Sequence, residues 1–387
     1  MRKKLLVTAS TFPRWEGDTE PRFVLDLCQA LTEYFDVTVL VPATLGALEE
    51  EIMGDVHVLR YHYFFIHKWE TLCYPGAIVP RIKEKKIRIL LVPFLLVALY
   101  INLLKITPRY DVVHAHWLIP QGIIQSFFKT PYIVTGHGGD VTSLNFGFMK
   151  KIKERCIRKA HSVTVVSQFL KDEVRAIADV ENIKVMPMGC NTEEFSSSYA
   201  IDNFFGQGEK KVILFVGRLA EKKGVKYLIE AMKEIDGLLV IVGKGPLEEE
   251  LREQAKTLGN KVLFLGAKTH EELKTIYASA DIFVAPSVTA KDGDKEGFGL
   301  VILEAMTSGL PVVAFDSGGI SEIITNSKNG VLVEERNVEQ LRSNIVNILE
   351  NQKLRERYSN EAVLTAKKYD YKNIAKEYSK IIGEINE

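Results

Sequence analysis

Residues 281–287, DIFVAPS, and residues 296–306, EGFGLVILEAM, form the stretch that decides the fold of this chain. The first segment is a short apolar run between an aspartate and a proline, which is typical of a buried parallel strand. A polar loop follows, and a glycine pair then opens an apolar helix that ends at Gly309 and Pro311. A glycine-rich turn at a helix N-terminus leaves backbone N–H groups unpaired, so this turn suits an anion.

Two carboxylates bracket the turn. Glu296 precedes the glycines, and Glu304 lies inside the helix between apolar neighbours. A carboxylate in such surroundings costs free energy unless it has a partner. The pattern therefore favours a binding role for Glu304 over a solvated helix position.

The order of strand, Pro-Ser, loop, Glu-Gly-Phe-Gly and second glutamate resembles the E-x7-E signature of the GT4-type retaining glycosyltransferases. The resemblance covers nearly the whole chain and is strongest from Gly217 to Pro311. It implies the GT-B fold, in which two facing Rossmann-like α/β domains with parallel sheets flank an interdomain cleft. It also implies transfer of a hexose from a UDP- or GDP-linked sugar with retention. No cofactor and no metal are expected besides the substrate nucleotide sugar.

The resemblance assigns roles in the second domain. Arg218 and Lys223 would stabilise the diphosphate charge that develops on the leaving group. Glu304 would accept hydrogen bonds from both ribose hydroxyls, and Glu296 would hold hydroxyls of the donor sugar. The full set of donor-binding candidates is Gly217, Arg218, Lys223, Lys268, Glu296, Gly297, Phe298, Gly299 and Glu304.

In the first domain the resemblance places His137 against the transferred sugar. The catalytic candidates are thus His137, Arg218, Lys223 and Glu296. The family usually carries a glycine pair in its first loop, whereas this chain has Gly17 followed by Asp18, so an acceptor-side role is expected there. The acceptor-side candidates are Gly17, Asp18, His116 and Asp140.

Domain organisation follows from the alternation of apolar strands and amphipathic helices, which predicts βαβ units. The polar segment Ser196–Glu209 is typical of a linker. We therefore expect an acceptor-side domain at residues 1–203, to which a crossover helix at about 371–387 returns. A nucleotide-sugar domain is expected at residues 204–370.

Residues 61–107 differ in composition from the rest of the first domain. They contain an aromatic cluster, a basic run from Arg81 to Arg88, and a nearly continuous apolar segment from Ile89 to Leu104. The apolar segment is shorter than the ~20 residues of a membrane span, and a buried helix is the favoured interpretation. The basic and aromatic part admits two interpretations equally, a solvated face or a patch for anionic lipid. The second would accompany peripheral attachment to the inner face of a membrane and a glycan or lipid-linked acceptor.

Composition limits the class of protein. Fifty Lys and Arg balance fifty Asp and Glu, which argues against a nucleic-acid binder that relies on bulk charge. The four cysteines are scattered without a C-x-x-C pair, so a zinc site or disulfide framework is not indicated and a cytoplasmic location is expected.

Alternatives remain open at this point. Asp292-Gly293-Asp294 spells D-x-D, a metal motif of another glycosyltransferase fold, but its loop position favours a solvated turn. A nucleotide-sugar 2-epimerase would share the fold. A metal-dependent hydrolase could use His114, His116 and His137. A non-catalytic nucleotide-sugar regulator is disfavoured by the complete set of site candidates.

Overall fold

The structure, a computed structural model, describes residues 2–206 and 208–385. The chain divides into two compact units, residues 2–188 with 371–385, and residues 189–370. Each unit contains one sheet. The prediction of two α/β domains with parallel sheets is confirmed.

The first unit holds an eight-stranded sheet in the order β3-β4-β2-β1-β5-β6-β7-β8. Its strands are β1 Lys4–Thr8, β2 Asp36–Pro42, β3 Glu50–Met53, β4 Val56–Tyr61, β5 Val112–His116, β6 Tyr132–Gly136, β7 Ser162–Val165 and β8 Ile183–Val185. Within the described residues, β3 is the only strand of this sheet that pairs antiparallel. Its position at the edge leaves the seven other strands parallel.

Helices cover this sheet. They are α1 Phe23–Leu31, α2 Ile78–Glu84, α3 Val92–Ile106, α4 Ile123–Gln125, α5 Gly139–Thr142, α6 Gly147–Lys159 and α7 Gln168–Ile177. The unit is completed from the far end of the chain by a helix that begins at Tyr371 and ends at Gly383. Residues 386 and 387 of the predicted crossover helix lie outside the described residues.

The second unit holds a six-stranded parallel sheet. Its strands are β9 Val212–Val216, β10 Leu238–Val242, β11 Val262–Gly266, β12 Ile282–Ala285, β13 Val312–Phe315 and β14 Val331–Val333. Its helices are α8 Val225–Ala231, α9 Glu248–Ala255, α10 His270–Ala278, α11 Leu300–Thr307, α12 Ile320–Ile323, α13 Val338–Glu350 and α14 Gln352–Ala366, so the returning helix Tyr371–Gly383 is α15.

Strand composition explains why these segments form the centre of the sheet. Every residue of β9, β10 and β12 is buried, and each strand is a continuous run of branched or aromatic side chains with few exceptions. Such runs suit parallel strands that helices cover on both faces. A local start signal is also present, since Thr269 and Glu272 form a capping box at the beginning of α10.

The boundary between the units falls at residues 188/189, fifteen residues before the predicted boundary at 203/204. The segment before the polar linker belongs to the second unit because it bonds there. The Cys190 amide donates to the Tyr369 carbonyl at 2.9 Å, and the buried ring of Phe195 packs edge-on against Tyr277. The polar composition of residues 196–209, on which the predicted boundary rested, therefore placed it too far along the chain.

The apolar helix of the first unit corrects one expectation. We expected the segment from Ile89 to Leu104 to be buried, but α3 buries only Leu95, Leu99 and Leu103. By length and composition the segment Lys86–Arg109 is the one stretch among the described residues that could cross a membrane, and 17% of its apolar window is buried. The buried leucines recur every fourth residue, so one stripe of α3 is packed and the rest of its surface is exposed.

Candidate functional site

The second sheet reverses its strand order between β9 and β12. The strands run outward from β9 through β10 and β11 on one side, and from β12 through β13 and β14 on the other. In open parallel sheets, ligands bind beyond the carboxyl ends of the strands at such a reversal. The loops that follow β9 and β12 carry Lys223 and Glu296, so the fold brings these two predicted residues to the expected place.

Close backbone contacts hold these two loops together and join the second of them to the loop after β13. A side-chain carbon on Gly224 would lie 1.9 Å from the Pro286 carbonyl oxygen, and the residue has φ +60°. A side-chain carbon on Gly318 would lie 2.1 Å from the Glu296 carbonyl oxygen. Both positions therefore require glycine, and both contacts fix the backbone beside the candidate site.

Lys223 and Glu296 form a salt bridge, and both side chains are largely shielded from solvent. Together with Gly299 they line one small cavity of about 10 Å³. Burial alone would raise the pKa of the Glu296 carboxyl. The ammonium groups of Lys223 and then Lys222 outweigh burial, so the pKa of Glu296 lies below its usual value. The Glu296 carboxyl is therefore ionised at neutral pH.

The loop between β12 and Glu296 is also anchored by charge. Lys222 Nζ lies 3.0 Å from Asp294 Oδ2, and the Asp294 amide donates to Asp292 Oδ1 at 3.2 Å. The expectation of a solvated turn is thus wrong for Asp294, which is half-buried and paired. Neighbouring lysines 222 and 223 each bind one carboxylate of the same loop.

The turn before α11 has the predicted form. Gly299 adopts φ +105° directly before the helix begins at Leu300, and Phe298 is buried with its ring 5.7 Å from that of Tyr369. The positive φ at Gly299 turns the chain into the helix. The Ile302 amide donates to the Gly299 carbonyl at 2.9 Å, so the amides of Leu300 and Val301 are the groups of the first helical turn that suit an anion.

Glu304 lies on α11, and its carboxylate has a partner that the sequence did not reveal. The hydroxyl of Tyr277 donates to Glu304 Oε2 at 2.8 Å, and Tyr277 is completely buried. Burial raises the pKa of Glu304, while the positive field of His270 and the Tyr277 hydrogen bond oppose that rise. The net pKa lies above the usual value for a glutamate.

The remaining donor candidates lie at the same edge of the second sheet. Gly217 and Arg218 follow β9 directly, and the Gly217 amide donates to the Val242 carbonyl at 2.9 Å. Lys268 follows β11, where its ammonium binds Glu272 at 2.8 Å. The side chain of Lys268 is therefore occupied in the first turn of α10, which leaves its backbone for a ligand.

Three histidines stack in the first unit. His116 Nδ1 and His137 Nε2 share a hydrogen bond of 2.9 Å, and His114 shares one of 2.7 Å with Thr135. His114 and His116 are completely buried, whereas His137 is partly exposed beside Trp117. Burial lowers the pKa of His137 to about 3 and that of His114 to about 3, so the rings are neutral at physiological pH.

This arrangement bears on the metal alternative. The facing nitrogens of His116 and His137 are joined by a hydrogen bond, so they do not converge on a common third point. Among the described residues, no group of three or more His, Cys, Asp or Glu side chains is placed to hold a metal ion. The hydrogen bond and the ring contact with His116 instead fix the orientation of the His137 ring.

Two of the acceptor-side candidates shape their own loops. Asp140 accepts hydrogen bonds from the amides of Leu118, His137 and Gly138 at 2.8–3.0 Å. Asp18 accepts from the amide of Arg14 at 2.8 Å and from the hydroxyl of Tyr74 at 3.1 Å. Gly17, at φ +78°, has open space around it.

Comparison with known proteins identifies the family of the chain. The family model described as "Glycosyltransferase Family 4" matches residues 21–194, and "Glycosyl transferases group 1" matches residues 201–364. An uncharacterized glycosyltransferase of Methanocaldococcus jannaschii is 33% identical over 294 residues, which are 70% of this chain and 74% of the relative. The chain belongs to the GT4-type glycosyltransferases.

Two further comparisons concern a relative and a fold. A GDP-mannose-dependent alpha-(1-6)-phosphatidylinositol monomannoside mannosyltransferase of Mycobacterium tuberculosis is 30% identical over 230 residues, 56% of this chain and 60% of that protein. Sucrose-phosphate synthase from Thermosynechococcus elongatus superimposes with a TM-score of 0.79 at 20% identity, over 99% of both chains. The glycosyltransferase thus has the GT-B fold.

Within the second unit of this glycosyltransferase, the structure brings together the predicted Lys223, Glu296 and Gly299. Sequence reasoning missed Tyr277 and Lys222 as partners of the site. Tyr277 lies 27 residues before Glu304 on a different helix, and Lys222 meets Asp294 only through the folded loop. Neither pairing leaves a spacing pattern in the sequence.

Proposed function

We propose that this glycosyltransferase moves a hexose from a UDP- or GDP-linked sugar to a glycan or lipid-linked acceptor, with retention and without a metal ion. The observation that carries the proposal is the Lys223–Glu296 salt bridge beside the N-terminus of α11 at the strand-order reversal. A cation, the amides at the start of a helix and a carboxylate that binds hydroxyls are together what a sugar diphosphate requires.

Lys223 has two partners in this account. Without a ligand its ammonium binds Glu296. With a donor bound, the same ammonium would contact diphosphate oxygens, and Glu296 would accept hydrogen bonds from sugar hydroxyls. Lys223, Arg218 and the helix amides would then offset the charge of the leaving group.

Glu304 and His137 complete the proposal. Glu304 would bind both ribose hydroxyls, which requires its carboxylate to be ionised. His137 would contact the transferred sugar as a neutral hydrogen-bonding group, because burial holds its pKa far below neutrality. His116 would fix the orientation of that ring through their shared hydrogen bond.

The test begins with binding and ends with transfer. A thermal-shift panel of nucleoside diphosphates and their sugars identifies the donor, since a ligand that binds the folded state raises the unfolding midpoint. The selected donor, labelled in its sugar, is then incubated with a membrane lipid extract and with soluble glycans. Label in an acceptor with the α-configuration retained supports the proposal. Donor turnover without any acceptor would identify a 2-epimerase instead, and an absence of binding by every nucleotide would contradict the proposal.

We also infer peripheral attachment to the cytoplasmic face of a membrane. The support is the exposed surface of α3, because a monomeric soluble protein rarely exposes so much contiguous apolar surface. Between Lys85 and Asp111 the sequence contains basic residues but no acidic one. The stripe of buried leucines pins α3 to its unit, which favours a helix that lies in the plane of the interface over one that spans it.

Liposome flotation tests this attachment. Vesicles of phosphatidylcholine mixed with phosphatidylglycerol should carry the protein at low salt and release most of it at high salt, because salt screens the basic residues. Vesicles of phosphatidylcholine alone should carry less. Failure to float with either composition would contradict attachment and leave the donor proposal untouched.

A further inference from the structure

The first sheet also reverses its strand order, between β1 and β5. In open parallel sheets, ligands bind beyond the carboxyl ends of the strands at such a reversal. Trp117 is the residue that directly follows β5. It therefore lies at the place where the first unit is expected to bind a ligand, and no contact of the proposed reaction uses it.

The backbone of Trp117 is strained. Its φ of +72° and ψ of 135° suit glycine, and a bulky side chain avoids this region. The Trp117 amide donates to the Thr135 carbonyl at 2.8 Å, and the Gly122 amide donates to the Trp117 carbonyl at 3.1 Å. The next amide, that of Leu118, donates to Asp140 Oδ2 at 2.8 Å. A strained residue that its surroundings hold in this way is typical of a functional site.

Aromatic neighbours fix the indole ring of Trp117. Its centroid lies 4.8 Å from that of His137 and 6.0 Å from that of Phe23, at interplanar angles of 43° and 68°. The ring of His116 lies 6.2 Å away. Trp117 is nevertheless only half-buried, so a fixed aromatic surface remains open to a ligand at this edge of the sheet.

The indole N–H group adds one hydrogen-bond donor to that surface. Across residues 2–206 and 208–385, the Trp117 indole N–H has no hydrogen-bond partner. Tryptophan side chains removed from solvent usually find one, and the indole nitrogen can only donate. An apolar ring beside a single donor suits a ligand that combines an apolar face with hydroxyl oxygens, as a sugar ring does.

The neighbouring rings favour an uncharged ligand. Burial lowers the pKa of His137 to about 3 and lowers that of His116 well below its usual value, so both rings are neutral at physiological pH. Phe23 is apolar. These groups offer no positive charge to a phosphate, whereas the proposed diphosphate contacts all lie in residues 189–370.

We infer that Trp117 binds the sugar ring of the glycosyl acceptor, through the open surface of its indole and through its N–H group. The inference rests on the proposed function for the identity of that sugar as the acceptor. His137, which is proposed to contact the transferred sugar, is the nearest aromatic neighbour of Trp117. A sugar bound by Trp117 would therefore lie beside the sugar that it receives.

The probes are the methyl α-glycosides of mannose, glucose and galactose, each titrated alone and with UDP or GDP. The chain has three tryptophans, so the double variant Trp15→Phe, Trp69→Phe leaves Trp117 as the only source of indole emission. We expect a saturable change in that emission with at least one glycoside. No change with any glycoside in either condition would overturn the inference.

Trp117→Phe tests the N–H group in the transfer reaction, because it keeps an aromatic ring and removes the donor. It should raise the acceptor KM about fivefold, as expected for the loss of one hydrogen bond. The donor KM and the slow hydrolysis of donor in the absence of acceptor should not change. The double variant Trp15→Phe, Trp69→Phe is the control and should keep both KM values within about twofold.

The division between the two KM values separates binding of the acceptor from support of the fold, since a purely structural role would not affect the acceptor alone. A raised donor KM with an unchanged acceptor KM would assign Trp117 to the donor sugar and overturn the inference. The emission titration needs no substitution at Trp117, so it decides the inference even where Trp117→Phe folds poorly. Because the glycosides are also titrated without nucleotide, failure of the donor proposal would leave that result unaffected.

Discussion

The position of the Glu304 carboxylate depends on a hydrogen bond from one hydroxyl group. Tyr277 is buried beneath α11 and donates to Glu304 Oε2 at 2.8 Å, and the ring of Phe195 packs against Tyr277 in turn. The hydrogen bond fixes the carboxylate and opposes the rise in its pKa that burial causes. Tyr277 is thus a positioning residue for the proposed ribose contact.

Tyr277→Phe should weaken binding of the nucleoside diphosphate about tenfold, as expected when a hydrogen bond to a charged group is lost. Without that bond the pKa of Glu304 rises further. Ribose binding requires the ionised carboxylate, so affinity should begin to fall at a higher pH in the variant as the solution is acidified. The measurement is the difference between the pH profiles of nucleotide affinity for wild type and for Tyr277→Phe. Titration of the ligand affects both profiles equally, so it cancels in the difference.

The control for this variant is Tyr132→Phe, which removes a buried hydroxyl bound to the Cys156 carbonyl in the first unit. It should lower the unfolding midpoint and leave the pH profile of nucleotide binding unchanged. Equal profiles for wild type and Tyr277→Phe would show that the tyrosine only fills space.

Lys223 is the residue expected to stabilise the negative charge of the diphosphate leaving group. Lys223→Ala should lower turnover by roughly 10²–10³-fold, the range for loss of one preorganised charge-stabilising group. Its shielded pair with Glu296 also predicts that the variant loses about 1–3 kcal/mol in the free energy of unfolding. Steady-state kinetics and urea unfolding measure both effects.

A chelator titration accompanies that variant. Activity should survive EDTA, and the double variant Asp292→Ala, Asp294→Ala should remain active, because these acids shape a loop and do not hold a metal in this account. Loss of activity in EDTA with recovery in manganese, together with a requirement for both acids, would show that a metal ion stabilises the leaving group.

At the scale of elements, glycine contacts set the geometry of the site. The turn that carries Lys223 continues into Gly224, whose backbone lies directly against the end of β12 at Pro286. The sequence predicted the strand, the turn and the helix here because apolar runs and glycine stops are local signals. It did not predict that two loops from distant parts of the chain are in backbone contact, since that contact exists only after the sheet forms.

Gly224→Ala should reduce both donor affinity and stability, because the added methyl would meet the Pro286 carbonyl oxygen at 1.9 Å. Gly259→Ala is a control at another positive φ, +57°, with open space around it. The control should cost only backbone strain, since Gly259 combines that φ with a ψ of −125°. Similar losses of donor affinity in the two variants would refute the role given to the contact.

The same scale explains the error on α3. An apolar segment of this composition suits a buried helix and an interfacial helix equally well, because composition does not say what covers a surface. Only the folded unit shows that a single stripe, Leu95, Leu99 and Leu103, is packed. The other faces remain exposed, which reverses the expected burial.

At the scale of the whole molecule, all residues proposed to bind the nucleoside diphosphate lie in the continuous unit of residues 189–370. That unit has its own core, built around the buried strands of its sheet. The fold class was predictable because alternating strands and helices produce parallel sheets. The unit boundary was not, because the segment from Cys190 to Phe195 belongs to the second unit through contacts and not through composition.

A fragment of residues 189–370 should therefore unfold cooperatively and bind the nucleoside diphosphate within about tenfold of the intact protein. A fragment of residues 204–370 lacks Phe195, which packs against Tyr277, and should have a lower unfolding midpoint and weaker affinity. Calorimetry and thermal unfolding compare the two. Indistinguishable fragments would favour the boundary at 203/204.

Calorimetry with Glu304→Gln and Glu296→Gln tests the central claim most directly, that α11 and its preceding turn hold a nucleotide sugar. Glu304→Gln should weaken binding of the nucleoside diphosphate alone by at least about tenfold. Glu296→Gln frees Lys223 for the diphosphate, so it should leave that affinity unchanged or stronger and abolish discrimination between sugars. The reverse pattern, in which Glu296→Gln weakens the diphosphate and Glu304→Gln does not, would contradict the account.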